Sequence, residues 1–405
     1  MLRLRLCFLA SHNVLRENLR GREMPIERVR LYHRVRSAHL ERAKQLPRAT
    51  ILYGDKRYDF DEGLASRLDL VHARSWRAAV FLFRHQVAVL EINEPLTLYS
   101  ARFTALALLA LRLRRLLGLP RTRVVTYAIE NRAPEPPGQL TTPRQWLSSR
   151  LDRALMRLIW RRVDRVAFGT ESARVLYASS LPQGRRSPQT RLFAALPAAA
   201  ADADAGAKEA NRVTFLGAFV HRKGFALLTA AWPAVLRQLP DARLTLIGKG
   251  PLEPTGRELA ASSPGVELHI DPSRQHIKDT LRRTQVLVLA SQRQPDWREQ
   301  VGLPIVEGLA YGCTIVATTE TGLASWLAQH GHRVIPAPCS VAQVEAAVVA
   351  ALRRPLAAAR VLASLPEDDG RLAADAWLFE PSWVANAPES SNSVEVAADG
   401  PGRSR

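Results

Sequence analysis

Thirteen residues from Asp296 to Gly308, DWREQVGLPIVEG, gather the residue types best able to do chemistry in this chain. Pro304 suits the first turn of a helix, and the spacing of Ile305 and Leu309 gives that helix one buried face. Gly302 and Leu303 then stand at its head, where backbone N–H groups lack intrahelical acceptors and the positive end of the dipole attracts phosphate. Glu299 falls in the loop before the helix and Glu307 about one turn inside it. Two carboxylates beside a phosphate would repel its oxygens, so sugar hydroxyls, which donate hydrogen bonds to carboxylates, are the groups they would address. The same pair also admits a purely structural role, with Glu307 complementing the helix dipole and Glu299 standing at the surface. Upstream, the β-rich run Val213–Leu216 enters Gly217 and a turn ending Arg222-Lys223-Gly224, with a helical segment, Phe225–Leu239, beyond. Lysine in such a turn can reach an anion held over the C-terminal edge of a parallel sheet; Arg-Lys pairs in loops also occur simply as solvated charges.

Positioning these residues needs alternating strands and helices, and the sequence has that pattern. Apolar, β-rich runs occur at Arg3–Ala10, Thr50–Tyr53, Asp69–Ala73, Val87–Ile92, Arg123–Ile129 and Arg165–Phe168. A second series follows at Val213–Leu216, Arg243–Ile247, Val266–Ile270, Val286–Ala290, Thr314–Ala317 and His332–Ile335. Runs bounded by turn residues and separated by helix-length segments argue for α/β domains whose parallel sheets are covered on both faces. The Ala-rich, aperiodic stretch 196–211 reads as a linker. It divides a domain at 1–195 from another at 212–355; helices are expected near 356–364 and 372–385, and a disordered tail at 388–405.

With 405 residues, 47% hydrophobic and 23% charged, the chain can bury two sizeable cores. Its net charge of +19 is carried entirely by the first 200 residues, which hold 36 basic and 16 acidic side chains. Only six of the 57 basic residues are lysines, a bias that coding composition alone can produce. Cys7, Cys313 and Cys339 are too few and scattered for a disulfide framework or a zinc site. The apolar stretch Leu6–Ala10 is short for a signal peptide, and the longest largely apolar run, Phe103–Leu111, falls far below the roughly 20 residues of a membrane span. A cytoplasmic chain is expected, able to rest peripherally on the inner face of a membrane. Residues 143–162 read as a helix capped by Thr142, with Leu147, Leu151, Ala154, Leu155 and Leu158 on one face and Arg150, Arg153, Arg157 and Arg161 beside them. Such a helix suits an anionic lipid surface, and equally suits packing on a sheet with its arginines in water. The segment Ala101–Leu117, with Arg112, Arg114 and Arg115, is a second of the kind. A nucleic-acid-binding protein is disfavoured, because zinc-finger spacing, an RNP-like aromatic motif and a clear helix-turn-helix are missing; so is a dinucleotide oxidoreductase, since Gly217 stands alone where G-x-G-x-x-G should open a helix.

Taken in order, Lys223-Gly224, RLTLIGKGP (243–251), VLVLAS (286–291), Glu299-x7-Glu307 and GLAYGCTIVATTETG (308–322) resemble the nucleotide-binding domain of retaining glycosyltransferases with the two-domain GT-B fold. The resemblance implies two Rossmann-like, doubly wound domains facing each other across a cleft, with the first on the acceptor side. It implies transfer of a glycosyl group from a nucleotide-sugar with retention and without metal or other cofactor. Lys223 would contact the donor diphosphate and Glu299 the donor sugar, both as catalytic residues; Glu307 would hold the ribose, and Gly302 and Leu303 the phosphates, with Gly217, Arg222 and Gly248 lining the site. An acceptor that is a glycan or lipid-linked is implied, and no nucleic acid. In the first half, 87–102, 123–134 and 165–177 are similar to the family's acceptor domain, and PSWVANA (381–387) to a C-terminal helix that packs back towards it.

The pattern is broken at several positions. Ala218 stands where the family often has a phosphate-binding arginine, so His221 or Arg222 would have to substitute. The first strand-to-helix turn, read as Ser11-His12-Asn13, lacks glycine, and Thr321-Gly322 and Ser325 replace paired glycines and a glutamate. His12, His72 and His85 are the histidines located to act from the first domain. Asp59-Phe-Asp61 and Asp202-Ala-Asp204 only mimic a metal motif. The alternatives are an inactive relative or a nucleotide-sugar hydrolase or epimerase.

Overall fold

The computed structural model describes residues 26–57, 60–134, 142–184, 187–203, 208–295 and 297–385. The run Arg3–Ala10, the turn Ser11–Asn13, Asp59, Asp204, Asp296 and the tail 388–405 lie outside them. In the first domain seven parallel strands are described, β1 (Ile26–Val35), β2 (Thr50–Lys56), β3 (Leu70–His72), β4 (Val87–Glu91), β5 (Arg123–Ala128), β6 (Arg165–Phe168) and β7 (Gln189–Leu192). Between them run α1 (Ser37–Gln45), α2 (Glu62–Ala65), α3 (Ser75–Arg84), α4 (Ala101–Leu116), α5 (Pro143–Trp160) and α6 (Glu171–Ser180). The sheet order is 3-2-1-4-5-6-7.

The second domain repeats the plan with β8 (Arg212–Leu216), α7 (Phe225–Gln238), β9 (Arg243–Gly248), α8 (Glu253–Ser262), β10 (Val266–Ile270), α9 (Arg274–Arg283) and β11 (Val286–Leu289). It continues through α10 (Leu303–Ala310), β12 (Thr314–Thr318), α11 (Ala324–Gln329), β13 (Arg333–Ile335) and α12 (Val341–Arg353). Its parallel strands lie in the order 10-9-8-11-12-13. Strand order therefore reverses between β1 and β4 and again between β8 and β11, the two places where doubly wound sheets open a crevice beyond the strand C-termini.

β1 adds to the sequence reading, which did not name it as a strand. Ile26–Val35 pairs with β2 on one side and β4 on the other, and the turn that follows it is Val35-Arg36-Ser37. Arg28, Arg30 and Arg34 interrupt the apolar pattern of this strand, yet Val29, Leu31 and Val35 are fully buried and Arg30 is 1% exposed. Arg30 is tolerated there because α14 (Gly370–Leu378), which follows α13 (Ala358–Ala363), supplies its counter-charge. Arg30 donates to Glu91 at 3.0 Å and to Asp375 at 2.7 Å, while Arg371 pairs with Glu91 at 2.5 Å. Two buried cations and two buried anions thus join β1, β4 and α14.

The helical segment expected at 372–385 is two pieces, α14 and α15 (Pro381–Ala385). Both lie on the first sheet. Ala374, Leu378 and Phe379 pack with Val89, Val125 and Ala167, and Arg165 donates to the Trp377 carbonyl at 2.6 Å while lying over the Trp383 ring at 4.0 Å. The stretch read as a linker is partly packed, since Leu196 and Ala203 belong to the second core. Gly370 N–H donates to Leu196 O at 2.9 Å, so the chain's two crossings between domains run side by side. A Cβ on Gly370 would collide with the Ala194 carbonyl.

On the opposite face, α3, α4 and α5 cover the sheet through Ala78, Leu82, Phe103, Ala107, Met156, Ile159 and Trp160. Thr142 caps α5 by accepting the Gln145 N–H. The apolar face read from the sequence is not the packing face: Leu147, Leu151 and Leu158 are exposed, as are Trp146 on the same helix and Leu109, Leu113 and Leu116 on α4.

Candidate active site

Backbone geometry at the β8 end begins the site. Gly217 and Gly248 both have strongly positive φ, and a Cβ on Gly248 would strike the Gly217 carbonyl oxygen. Only glycine lets these two backbones meet so closely. Gly224, also at positive φ, backs onto the Ala290 carbonyl in the same way. That contact pins the turn carrying Arg222 and Lys223 against the end of β11. Gly302, with φ 86°, then turns the chain into α10, so Gly302 and Leu303 present backbone N–H groups at the head of that helix. A Cβ at Gly217 would fall 3.8 Å from Pro304 Cγ, which places the head of α10 beside the β8 turn, at the switch point of the sheet.

Lys223 and Glu299 form an ion pair, and Ser291 Oγ donates to the same glutamate oxygen at 2.9 Å. Both side chains are largely shielded, at 14% and 9% exposure. The Trp297 ring lies beneath Arg222 at 4.4 Å and Lys223 at 5.1 Å, holding two cations over one aromatic face. Glu307 sits on α10 and accepts from Arg274 at 3.1 Å; burial raises its carboxyl above the ordinary value against the pull of that arginine. His221 is exposed, Ala218 half-buried. A cationic lysine, free amides and two carboxylates thus surround one edge of the second sheet, a set that can bind an anion and accept hydroxyl hydrogen bonds together.

The first domain reaches this edge with residues that the sequence reading did not single out. Asn131, just past β5, donates to the carbonyls of Glu299 at 2.9 Å and Glu320 at 3.2 Å. Glu130 accepts from Gln300 at 3.2 Å. Glu320, beyond β12, is paired with Arg293 and Arg298. The Thr321-Gly322 turn, a departure from the paired glycines, is closed by Gly322 N–H donating to Gln300 O at 3.0 Å; a Cβ there would crowd Thr170 and Ser172 of the first domain. The signal that could have found these residues is positional: each lies immediately after a strand of a parallel sheet, where ligands collect.

Glu94, just past β4 at the switch point of the first sheet, is a strongly perturbed carboxyl group. One of its oxygens accepts from the N–H groups of Ile129 at 3.0 Å and Glu130 at 2.9 Å and from Tyr177 at 3.1 Å. Burial, with the nearby charge of Glu130, pushes its pKa up to about 8. The folded state therefore holds this proton more tightly than the unfolded chain, and stability falls as pH rises from the unfolded carboxylate value of about 4.3 through about 8. Glu94→Gln, whose amide oxygen can take the same three donors, is expected to remove that slope. Thermal unfolding should show the variant matching the parent at pH 5 and exceeding it at pH 9; parallel pH profiles would refute the assignment.

Neither described histidine candidate faces the switch point. His72 hydrogen-bonds the Gly54 carbonyl at 2.9 Å on the edge strand, and His85 precedes β4 at the opposite edge of the sheet. His33 is nearer the centre, its N–H donating to Asn93 Oδ1 at 3.1 Å and its ring packed on Tyr99 and Phe103. Burial lowers its pKa. Of the metal-like decoys, Asp61 caps α2 and Asp202 pairs with Arg282.

Residues 210–354 match the family described as glycosyl transferases group 1. No curated protein matches in sequence. Among solved structures, the lipopolysaccharide outer core galactosyltransferase WaaB aligns with a TM-score of 0.56 at 10% identity, over 89% of this chain and 100% of that one. WaaG, a glycosyltransferase involved in lipopolysaccharide biosynthesis, aligns at 0.54 and 14% identity, over 86% and 99%. Anabaena Alr3699/HepE, solved with UDP and glucose, aligns at 0.52 and 13%, over 88% and 97%. The second domain thus matches the glycosyl transferases group 1 family model, and the whole chain has the two-domain GT-B fold.

Proposed function

We propose that the protein transfers a glycosyl group from a nucleotide-sugar to an acceptor, with retention at the anomeric carbon. The observation that carries this reading is the meeting of Lys223, Glu299 and the Gly302–Leu303 amides at one switch point. Lys223 and the head of α10 would receive the charge that develops on the departing diphosphate, the part a divalent cation plays elsewhere. Donor binding requires Lys223 to turn from Glu299 towards the diphosphate, which releases the carboxylate to the donor sugar. Glu307 would hold the ribose. HepE, solved with UDP and glucose, supports a nucleotide-sugar as the donor class. Turnover, measured as nucleoside diphosphate released in the presence of acceptor, should be unchanged by EDTA; abolition by chelator would overturn the metal-free route.

On the acceptor side, Glu94, Glu130 and Asn131 offer carboxyl and amide groups suited to a glycan or lipid-linked hydroxyl. The exposed leucines of α4 and α5 support a membrane-borne acceptor. Leu147, Leu151 and Leu158 stand in a line on α5 with Arg150, Arg157 and Arg161 exposed alongside, an arrangement complementary to an anionic lipid surface. Among the described residues no helix is long and apolar enough to cross a membrane. Sedimentation with anionic vesicles, weakened by salt and lost in Leu147→Asp/Leu151→Asp, is expected; sedimentation of that variant equal to the parent would remove α5 from the interface.

A further inference from the structure

A cavity of about 360 Å³ lies in the first domain at the edge opposite the cleft. It opens where β5, β6 and β7 begin, between the C-terminal ends of α4 and α5. The first residue of β5 lines it, while Asn131 lies three residues past that strand's end. At about 3.3 Å per strand residue, the two are on the order of 20 Å apart. The cavity is therefore no part of the site described above.

Its lining is strongly cationic. Arg112 and Arg115 come from α4, Arg121 and Arg123 from the entry to β5, and Arg161 and Arg162 from the end of α5. Asp164 is the single acidic residue of the lining, and it is occupied, pairing with Arg121 and accepting the Val124 N–H at 2.9 Å. The side chains of Arg112, Arg115 and Arg161 have no ion pair or hydrogen bond among the described residues. Arg123 forms the floor at 7% exposure, stacked at 4.6 Å on Trp383 and donating through Nη2 to the Trp383 carbonyl. Its Nε is buried with no acceptor. A buried guanidinium donor left unsatisfied is costly, and burial with the neighbouring charges of Arg121 and Arg165 holds this guanidinium below its ordinary pKa. An anion in the cavity would relieve both.

We propose that this cavity binds the phosphate of an anionic lipid headgroup. Guanidinium groups match phosphate oxygens in geometry as well as charge. Neighbouring residues point to lipid as the source: Leu116, next to Arg115, is 69% exposed, and Leu158, one helical turn before Arg161, is 48% exposed. These leucines would enter the acyl boundary while the arginines of the cavity take the headgroup. The inference rests on the membrane reading given above for α4 and α5.

The test uses the full chain and Arg115→Glu/Arg161→Glu, both exposed positions whose charge reversal leaves the core intact. Vesicles of phosphatidylcholine containing phosphatidic acid are compared with vesicles matched in surface charge by phosphatidylserine, and glycerol 3-phosphate is titrated in solution. The parent is expected to prefer the phosphomonoester lipid, and the variant to lose at least about tenfold in affinity for it and the preference with it, at about 1 kcal/mol per basic residue. Glycerol 3-phosphate should bind the parent and not the variant, while nucleoside diphosphate binds both alike. Equal binding of the phosphomonoester lipid and of glycerol 3-phosphate by both proteins would overturn the phosphate site, even where Leu147→Asp/Leu151→Asp abolishes sedimentation. If the parent ignores every vesicle but binds glycerol 3-phosphate in an Arg115- and Arg161-dependent way, the lipid source falls with the membrane reading. The phosphate site itself is then supported.

Discussion

Lys223→Ala is expected to lower turnover by about 10²–10³-fold, the cost of removing one preorganised group from developing charge. Two effects act together. On the proposed donor site the diphosphate would lose the cation at the β8–α7 turn, and among the described residues Glu299 keeps Ser291 as its side-chain partner while nearly buried. An uncompensated carboxylate would then face an anionic substrate. Lys223→Arg restores charge but not the compact ammonium that fits over Trp297, so partial recovery is expected. The measurement is initial-rate kinetics with the donor varied. Turnover within a few-fold of the parent in Lys223→Ala would show that the leaving group is stabilised elsewhere.

Asp375→Ala is expected to cost about 3–5 kcal/mol of stability, the range for breaking a buried ion pair by removing one partner. Asp375 is 1% exposed and accepts from Arg30 at 2.7 Å and Arg28 at 3.3 Å, with Arg371 at 3.6 Å. Without it two buried guanidinium groups share Glu91 alone. Because this network ties α14 to β1 and β4, the loss falls on the docking of the C-terminal helices. Equilibrium urea unfolding measures it. A change below 1 kcal/mol would mean that water reaches Arg30 and Arg371 once the aspartate is gone.

Why some of this was legible in the sequence, and some not, follows from where the information lies. The second domain's strands are near-continuous apolar runs such as Val286–Leu289, every residue buried, and runs of that kind announce a doubly covered parallel sheet. The head of α10 was legible because Gly302, Pro304 and the Ile305/Leu309 spacing are local signals. β1 was not, because its buried Arg30 makes sense only beside Asp375, 345 positions away. β7 was missed for the opposite reason: Gln189–Leu192 is an edge strand with all four residues exposed, so it carries no apolar run. The face of α5 was undecided in sequence for a related reason. Periodicity identifies an apolar stripe but not what covers it, and here the sheet takes Met156, Ile159 and Trp160 while the leucine stripe faces outward.

At the site, Lys223 and Glu299 were recognisable as chemically capable residues, but their ion pair was not, since 76 positions separate them. Glu94, Glu130 and Asn131 stand in the segments 87–102 and 123–134 with no local signal that sets them apart. Their importance comes from the facing of two sheet edges, which no local pattern encodes.

Calorimetric titration of the full chain with a panel of nucleoside diphosphates and their sugars tests the donor site most directly. Binding of at least one nucleotide is expected, weakened about tenfold or more in Glu307→Ala, as for loss of a charge-assisted hydrogen bond, and more steeply in Lys223→Ala. Absence of binding across the panel, or isotherms in both variants that match the parent, would contradict a nucleotide-sugar site at the head of α10.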